Sequence, residues 1–496
     1  MDGLEKSINH DTPEPLLRRV VRGGLWVITL RVLNRGLGFI RTIILARLLA
    51  PQDFGLLGIA FLSLSTLETF SQTGFHPALI QKKANIEPYL DTAWTVSAIR
   101  GTLLFCILFL SAPFIARFFN SPEAILVIRV IAVFALLSGL RNIGVIFFRK
   151  ELEFDRQFYY EFSGTCADIT VAITLAFVLR NVWALVWGGL AANLTRLFMS
   201  YLLHPYRPRL RFQKEKFQEL IGFGKWVLAS SLMVFLVTQG DDIFVGKLLG
   251  VTALGLYQIA YTLSNLPATE ITHVISQVTF PAYSKLQDEP LKLREAYLRV
   301  LQLTTFLSIP VTVGIIVLAP QFIPLVLGEK WLPAIPAVQV LALAGLLRSI
   351  AASSGYLFYA LGKVKIDTML QALRLTVLAF LIYPLAIRFQ LLGAAIAVAA
   401  SIFVSNIGFT LMALKLTGCG LSQLFKIILI PLLNGALAAA IILILKTLMG
   451  TGLLELVVFS VSGIIVYIAT AYLSGRVFDN PIKSLTTDIL TSLNKS

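Results

Sequence analysis

The sequence predicts an all-α integral membrane protein with about fourteen transmembrane helices, arranged as two pseudo-symmetric six-helix lobes plus two C-terminal helices. Three observations predict this fold: an apolar composition, an alternation of positive charge and an internal repeat. Of the 496 residues 57% are hydrophobic and 14% are charged, whereas a soluble domain carries about 25% charged residues. The composition therefore excludes a soluble protein. In a membrane protein the net charge of +15 indicates topology before it indicates nucleic-acid binding.

Fourteen segments are long and apolar enough to cross a bilayer, which takes roughly 20 residues of helix. Most of these segments are bounded by Pro, Gly or a charged residue. In chain order the predicted helices are 23–46, 54–75, 92–116, 124–148, 157–179, 182–203, 225–246, 254–280, 300–320, 333–359, 366–387, 391–413, 424–445 and 452–474.

Positive charge alternates between the segments that connect these helices. With the N-terminus in the cytoplasm, the inside segments hold 25 of the 42 Lys and Arg residues and the outside loops hold seven. Cytoplasmic loops carry the excess of Lys and Arg in membrane proteins, so a missed helix would scramble this alternation. We therefore expect both termini in the cytoplasm. The other ten cations lie inside predicted helices, where acids are fewer, so the membrane interior of the protein is net cationic.

A gapless shift of 200 residues reveals the internal repeat. Residues 22–60 fall on 222–260 with ten identities in 39 positions, and Gly55 meets Gly255. Apolar bias alone would match roughly a tenth of the positions. Each repeat contains six predicted helices, so both repeats enter the membrane from the same side. Parallel repeats of this kind are typical of alternating-access transporters whose substrate site lies between the halves near the midplane.

The repeat sets the predicted domain organisation. The domains are an N-terminal lobe at 1–203, a basic cytoplasmic linker at 204–220, a C-terminal lobe at 221–417, and the last two helices with a cytoplasmic tail at 418–496. The linker is the longest internal loop, and its basic character predicts that it lies along the anionic inner leaflet.

The first predicted helix carries a polar stripe on an otherwise apolar surface. At 100° per residue, Arg31, Asn34, Arg35 and Arg41 fall within about 120° of one another. An arginine at the bilayer centre costs roughly 2.5–3.5 kcal/mol on insertion scales. We therefore expect the stripe to line an aqueous cavity and to bind substrate there. The alternative is that these arginines are buried against acids of neighbouring helices.

Single arginines in other predicted helices supply two further candidates for substrate binding, Arg100 and Arg348. Arg100 lies in the predicted N-terminal lobe and Arg348 in the predicted C-terminal lobe, and neither belongs to the polar stripe of the first helix. A structural role is the plainer interpretation for both, since isolated intramembrane charges commonly pair with one another or with backbone carbonyls.

Five acids lie firmly inside the predicted helices and are candidates for ion coupling or gating. They are Glu68, Asp168, Asp241, Asp242 and Glu270. His273 lies one turn from Glu270 and is a candidate for the same role. The alternative is that they are hydrogen-bonded partners of the arginines. For the three aspartates we favour salt-bridging gates, since the repeat places Asp241 in register with Arg41.

The sequence offers nothing that enzymatic chemistry requires. No loop exceeds roughly 20 residues, so there is no room for an extramembrane catalytic domain. The motifs GxxxxGK[ST] and HExxH and any Cys/His cluster are absent. We therefore expect no enzyme, no metal, no cofactor beyond a proton or sodium gradient, and no nucleic-acid partner. A cationic cavity suits an anion, and arginine matches phosphate oxygens bidentately, so a lipid-linked pyrophosphate is a fitting substrate.

Two segments, RGLGFIRTIILARLLAPQDFGLLGIA (35–60) and FPAYSKLQ (280–287), resemble polysaccharide transporter (PST, Wzx-type) flippases of the MOP superfamily. The resemblance extends over essentially the whole chain. The first segment is also similar to helix 1 of the lipid II flippase branch. That branch's two cavity arginines fall on Arg35 and Arg41. The acid after them falls on Asp53, which we count among the candidates for coupling or gating. A further cavity arginine of that branch, in helix 2, has no match here, where Glu68 is the charged residue.

The resemblance implies the MOP flippase fold and a function. It implies export of undecaprenyl-pyrophosphate-linked oligosaccharide repeat units across the bacterial inner (plasma) membrane, for exopolysaccharide, O-antigen or capsule biosynthesis. It also implies contact with membrane lipids, a polysaccharide polymerase and a chain-length regulator. Two alternatives stay open. A MATE-like ion-coupled antiporter of small molecules should have an acid-rich cavity, and a membrane polymerase or ligase should have a larger loop.

Overall fold

The computed structural model describes residues 16–82, 86–450 and 452–477, and every regular element in these ranges is helical. A few side chains within them are left out of the description: 16–25, 27, 28, 76, 77, 81, 220–230, 270, 273, 274, 276–278 and 475–477. The first eight helices are α1 Leu16–Leu48, α2 Pro51–Phe70, α3 Phe75–Gln81, α4 Glu87–Phe118, α5 Ala124–Gly139, α6 Ile146–Lys150, α7 Phe154–Leu179 and α8 Trp183–Leu203. The next eight are α9 Lys214–Leu248, α10 Val251–Ser264, α11 Thr272–Lys285, α12 Pro290–Phe322, α13 Ile335–Ala360, α14 Val364–Thr417, α15 Leu421–Leu448 and α16 Leu453–Val477.

The all-helical membrane fold predicted from the sequence is confirmed. Each predicted segment lies on one of these helices or on a helix pair, because a long apolar run satisfies its backbone hydrogen bonds internally only as a helix. Within the described ranges, eight helices are long and apolar enough to span a membrane, and a bent pair raises this number to nine. The count of fourteen is compatible with this and stays a prediction. One reason for the difference is α14, which contains two predicted spans separated by a non-helical residue, Gln390, with φ 49° and ψ −129°.

One predicted span, 124–148, is broken in the structure. Helix α5 and the following helical segment Ile143–Lys150 meet at an angle of 72°. The buried Asn142 holds this bend, because its Oδ1 accepts a hydrogen bond from the Gly144 N–H at 2.9 Å and its Nδ2 donates to the Tyr206 carbonyl at 2.6 Å. An asparagine that caps the next turn competes with continuation of the helix.

The chain divides into two compact units. Unit 1 consists of Met1–Leu49, Ala60–Arg117 and Pro122–Met233, and unit 2 consists of Ala50–Ile59, Phe118–Ser121 and Val234–Ser496. Within unit 1, α7 packs against α8 and α1, and α5 packs against α8. Within unit 2, α13 packs against α10, α11, α12 and α14, and α15 packs against α12 and α16. The domain boundaries predicted from the sequence stay a prediction.

The 200-residue repeat is visible in the helix boundaries and in one contact of unit 2. Helices α1 and α9 end at Leu48 and Leu248, and α2 and α10 begin at Pro51 and Val251. The starts of α2 and α10 cross at the repeat-related glycines. A Cβ on Gly55 would collide with the Val251 carbonyl oxygen, and a Cβ on Gly255 would collide with the Pro51 carbonyl oxygen. Small residues let membrane helices approach backbone to backbone, so the crossing requires glycine at both positions.

Candidate functional site

In unit 1, Arg41 of α1 forms an ion pair with Asp168 of α7. The Arg41 Nη2 lies 2.9 Å from the Asp168 Oδ1, and the two side chains are 21% and 23% exposed. The pair exists because α1 packs along α7. The structure therefore brings together a predicted substrate ligand and a predicted gating acid, and the roles themselves stay predictions.

Two more arginines lie close to this ion pair. Arg196 of α8 lies within electrostatic range of Asp168 and Arg141. Gly164 of α7 makes room for it, since a Cβ there would lie 2.6 Å from the Arg196 Nε. Arg141, which follows α5, donates from Nη2 to the Asn193 Oδ1 of α8 at 2.6 Å. Three guanidinium groups, those of Arg41, Arg141 and Arg196, therefore share this region with the carboxylates of Asp168 and Glu161.

Arg100 of α4 binds the C-terminal end of α2. Its Nε donates to the Ser71 hydroxyl at 3.0 Å, and its Nη2 donates to the Glu68 carbonyl at 2.9 Å. A cation at a helix C-terminus satisfies unpaired carbonyls and interacts favourably with the helix dipole. The Glu68 carboxylate also lies within electrostatic range of Arg100 and Arg141. Two predicted site residues thus meet, and one of them also caps a helix.

A polar cavity of about 360 Å³ opens beside Arg100. Its polar lining comes from Ser65, Glu68, Thr69, Gln72, Thr73 and Arg100. The cavity lies where α2 ends and the chain turns into α3. Gly74 in this turn has a left-handed φ of 70°, a conformation that glycine adopts without strain.

Together these groups make the interior of unit 1 net cationic. Among its described side chains, the connected network contains four arginines and three acids, namely Arg41, Arg100, Arg141, Arg196, Glu68, Glu161 and Asp168. Each charge inside a membrane is costly unless it is paired or hydrated. The unpaired share of positive charge therefore favours an anion in this region.

In unit 2, a buried acid lies at the centre of the polar groups. Asp241 of α9 is 3% exposed and accepts a hydrogen bond from the Tyr257 hydroxyl of α10 at 2.7 Å. The guanidinium groups of Arg374 and Arg348 lie within electrostatic range of its carboxylate. Arg374 of α14 donates to the Val237 carbonyl at 3.3 Å, so its position is fixed from the α9 side.

The other two members of this cluster are held in a similar way. Arg348 of α13 donates to the Tyr261 hydroxyl, and its guanidinium lies 4.7 Å from the centre of that ring, which is a cation–π distance. Asp242 lies beside Asp241 and near the Gln258 side chain. In the described part of unit 2, two acids therefore meet two arginines among hydroxyl and amide groups.

The remaining predicted ligands lie on α1. Arg31 and Asn34 are partly buried and Arg35 is exposed. The Asn34 Oδ1 has no hydrogen-bond partner among the described residues. Their binding of substrate stays a prediction.

Three predicted coupling or gating residues lie apart from these networks or outside the description. Asp53 accepts a hydrogen bond from the Ala50 N–H at 2.8 Å. A carboxylate that reaches back to the residue before a helix caps its N-terminus, so Asp53 has a structural role at the start of α2. The side chains of Glu270 and His273 lie outside the part of the chain that the structure describes.

The sequence analysis missed the polar partners of the charged groups. Tyr257, Gln258 and Tyr261 on α10 hold three of the charges in unit 2, and Asn193 holds Arg141. The available signal was the one-turn spacing of Tyr257 and Tyr261, which places both rings on one helix face. Tyrosine in a membrane helix is more commonly an interfacial anchor, so the spacing alone did not point to a charged partner.

Comparison with known proteins places the chain in a family. Residues 44–336 match the family described as polysaccharide biosynthesis protein. The chain belongs to this family. The lipopolysaccharide biosynthesis protein WzxC of Escherichia coli (strain K12) is 28% identical over 355 residues, which are 71% of this chain and 72% of WzxC. The resemblance to PST/Wzx-type flippases is therefore confirmed.

Two solved structures resemble the fold of this chain. The lipid II flippase MurJ in an inward closed conformation matches with a TM-score of 0.74 and 15% identity over 91% of this chain and 99% of that chain. An inward-facing multidrug resistance MATE family transporter of the MOP superfamily matches with a TM-score of 0.60 and 18% identity, over 77% of this chain and 94% of that chain. At these identities the likeness shows the MOP fold alone. With its several apolar helices, this family member is a multi-pass membrane protein.

Proposed function

We propose that the protein translocates undecaprenyl-pyrophosphate-linked oligosaccharide repeat units from the inner to the outer leaflet of the bacterial plasma membrane. The observation that carries the proposal is the excess of arginines over acids in the polar network of unit 1. A pyrophosphate offers the oxygens that planar guanidinium groups bind bidentately. The polyprenyl tail would stay in the bilayer while the polar head crosses through a cationic cavity.

The family and the names of related proteins support the same substrate class. WzxC is named for lipopolysaccharide biosynthesis, and the MurJ structure is titled as a lipid II flippase. Both names concern glycans made at membranes. We infer transport by alternating access without bond chemistry, so that the protein is not an enzyme and serves exopolysaccharide, O-antigen or capsule biosynthesis.

The topology and the energy source belong to the same proposal. The distribution of Lys and Arg supports cytoplasmic termini. A proton or sodium gradient would drive the cycle, and the acids of unit 2 are the groups through which an ion could act. A polymerase that consumes the exported units and a chain-length regulator are the protein partners that such a transporter needs.

Transport of a labelled lipid tests the proposal. Lipid-linked oligosaccharide from the native host is incorporated with the purified protein into liposomes, and a membrane-impermeant lectin captures the sugar that reaches the opposite leaflet. We expect capture that depends on the protein. Arg35→Ala and Arg41→Ala should lower it by at least an order of magnitude while the proteins still insert, and Arg47→Ala, at the end of the same helix, is the matched control.

Other outcomes would point to the alternatives. Growth of the sugar chain without movement across the membrane would indicate a polymerase or ligase. Gradient-driven extrusion of a cationic dye, with no movement of the lipid, would indicate an antiporter of the MATE type. Normal transport in both arginine variants would remove the assignment of Arg35 and Arg41.

A further inference from the structure

The polar cavity at the end of α2 is built differently from the rest of the unit 1 network. It has about 360 Å³, which is at the lower end of the roughly 300–1,000 Å³ typical of small-molecule sites. The last turns of α2 form one wall, and Arg100 of α4 forms another. Such a volume accommodates a compact polar group and is too small for a whole lipid-linked oligosaccharide.

The charges of the cavity cancel. It contains one guanidinium, that of Arg100, and one carboxylate, that of Glu68. Two hydrogen bonds hold the Arg100 side chain, one from Nε to the Ser71 hydroxyl and one from Nη2 to the Glu68 carbonyl. Its other N–H groups can donate to a ligand. The guanidinium is therefore a donor fixed in place, and the carboxylate beside it is an acceptor.

The other polar groups of the cavity are neutral and can both donate and accept. They are the hydroxyls of Ser65, Thr69 and Thr73 and the amide of Gln72. The Ser65 hydroxyl donates a hydrogen bond to the Leu62 carbonyl at 3.1 Å, so towards a ligand it can act only as an acceptor. The cavity therefore offers both donors and acceptors, and its one guanidinium and one carboxylate leave it with no net charge.

The polar groups that line the cavity can bind a polyol better than a phosphate. A phosphate accepts hydrogen bonds only and is drawn to a surplus of cations, which exists around Arg41 and Arg196. A carboxylate in the cavity would repel a phosphate. A sugar ring carries hydroxyls that donate to Glu68 and accept from Arg100, so both charged groups would be satisfied by one ligand.

We propose that this cavity binds an uncharged saccharide unit of the transported lipid and so contributes to substrate specificity, apart from the arginines that bind the pyrophosphate. The inference rests on the proposed function, because it divides one substrate between two subsites. Glu68, Gln72 and Arg100 would contact the sugar, and Arg41 would contact the pyrophosphate.

Two lipids that differ only in the sugar test this division. The purified protein in nanodiscs is titrated with lipid-linked oligosaccharide from the native host and, separately, with undecaprenyl pyrophosphate that carries no sugar. We expect Glu68→Gln and Gln72→Ala each to weaken binding of the glycosylated lipid on the order of tenfold, the effect of one lost hydrogen bond to a charged or well-placed group. Binding of undecaprenyl pyrophosphate should stay unchanged in both variants. Arg41→Ala should weaken both lipids.

The controls separate folding, function and subsite. Glu151→Gln changes an exposed glutamate of unit 1 in the same way and should bind both lipids like the wild type. Gln72 is itself exposed, so its variant tests the cavity without disturbing a buried side chain. If the cavity variants weaken both lipids equally, or neither, the saccharide subsite is wrong while the proposed function stands. If their loss disappears when Na⁺ is removed, the cavity is a cation site. If the wild type binds neither lipid, the proposed function and this inference both fail.

Discussion

The two units differ in the balance of arginines and acids within their polar networks, although a sequence repeat relates their first helices. In unit 1, four arginines share a network with three acids, and in unit 2 two arginines meet two acids. The repeat preserves helix boundaries at an offset of 200 residues, so the backbone does not explain the difference. The difference lies in single side chains, for which Arg41 in one repeat and Asp241 in the other are the clearest case.

Different energetics follow from this difference. A charge within a membrane helix is tolerated when it is paired or faces water. In the cluster of unit 2 the charges of two acids and two arginines offset one another, and Tyr257 and Tyr261 hydrogen-bond to Asp241 and Arg348. Four of its buried polar atoms have no hydrogen-bond partner among the described residues, namely Asp241 Oδ1, Asp242 Oδ1, Arg348 Nε and Arg374 Nε. In unit 1 the arginines outnumber the acids that could neutralise them. A bound anion would therefore stabilise this network more than the balanced cluster of unit 2.

The largest expected effect comes from breaking the balanced cluster. Asp241→Ala removes the acceptor of the Tyr257 hydroxyl and leaves Arg348 and Arg374 with one acid fewer. Removing one partner of a buried charge pair costs about 3–5 kcal/mol, so the melting temperature of the purified protein should fall strongly. Tyr257→Phe, which removes one hydrogen bond, should cost about 1 kcal/mol.

The same variant also tests the role expected from the sequence. If Asp241→Ala melts like the wild type and yet transports nothing, the acid acts in ion coupling or gating and not in holding the fold. Measurement of both quantities on one preparation distinguishes the two roles.

The next largest effect concerns the surplus of arginines over acids in the unit 1 network. Arg41→Ala should lower the translocation rate in liposomes roughly 10- to 100-fold, since a hydrogen bond to a charged group contributes about 1.5–3 kcal/mol. Part of this loss could come from the broken ion pair with Asp168. The exchange of the two side chains, Arg41→Asp with Asp168→Arg, separates the contributions because it preserves the pair.

We expect the exchanged protein to keep a melting temperature near that of the wild type and to remain inactive. Recovery of translocation in the exchanged protein would mean that Arg41 serves the packing of α1 on α7. The contrast between the units would then concern structure alone.

A smaller effect tests the feature that the two repeats have in common. Gly55→Ala and Gly255→Ala each place a methyl group against the carbonyl oxygen of Val251 or Pro51. Overpacking of this kind costs about 1–3 kcal/mol, and the two variants should be destabilised alike if the crossing is symmetric. Gly314→Ala is the control, because a Cβ there meets nothing within 4 Å and alanine favours the helix. Unequal losses at the two glycines would break the symmetry inferred from the repeat.

Much of the fold could be predicted from sequence because apolar length and charge alternation report directly on membrane helices. The break at Gln390 falls between two predicted spans for this reason. The bend at Asn142 was missed, since one asparagine in an apolar run does not reveal that it caps a turn and binds the Tyr206 carbonyl. Charged residues of the site could be found, but their partners could not. Arg41 and Asp168 are 127 positions apart, and their pairing depends on which helices pack together.

The smallest expected effect lies in the linker predicted at 204–220, which carries further arginines of unit 1. His204 stacks on the Phe147 ring at 5.3 Å, and its Nδ1 accepts a hydrogen bond from the Tyr206 N–H at 3.2 Å. Burial lowers the pKa of His204 below its ordinary value, and the charges of Arg156 and Arg207 lower it further.

A lowered histidine pKa makes the linker less stable in acid. The unfolded chain takes up a proton as the pH falls through about 6.5, whereas the folded linker resists it, so stability is present above that pH and is lost below it. Hydrogen exchange of residues 204–213, corrected for the intrinsic rate, should therefore be faster at pH 5.5 than at pH 7.5. In His204→Gln this difference should disappear. If it persists, the pH dependence does not come from His204.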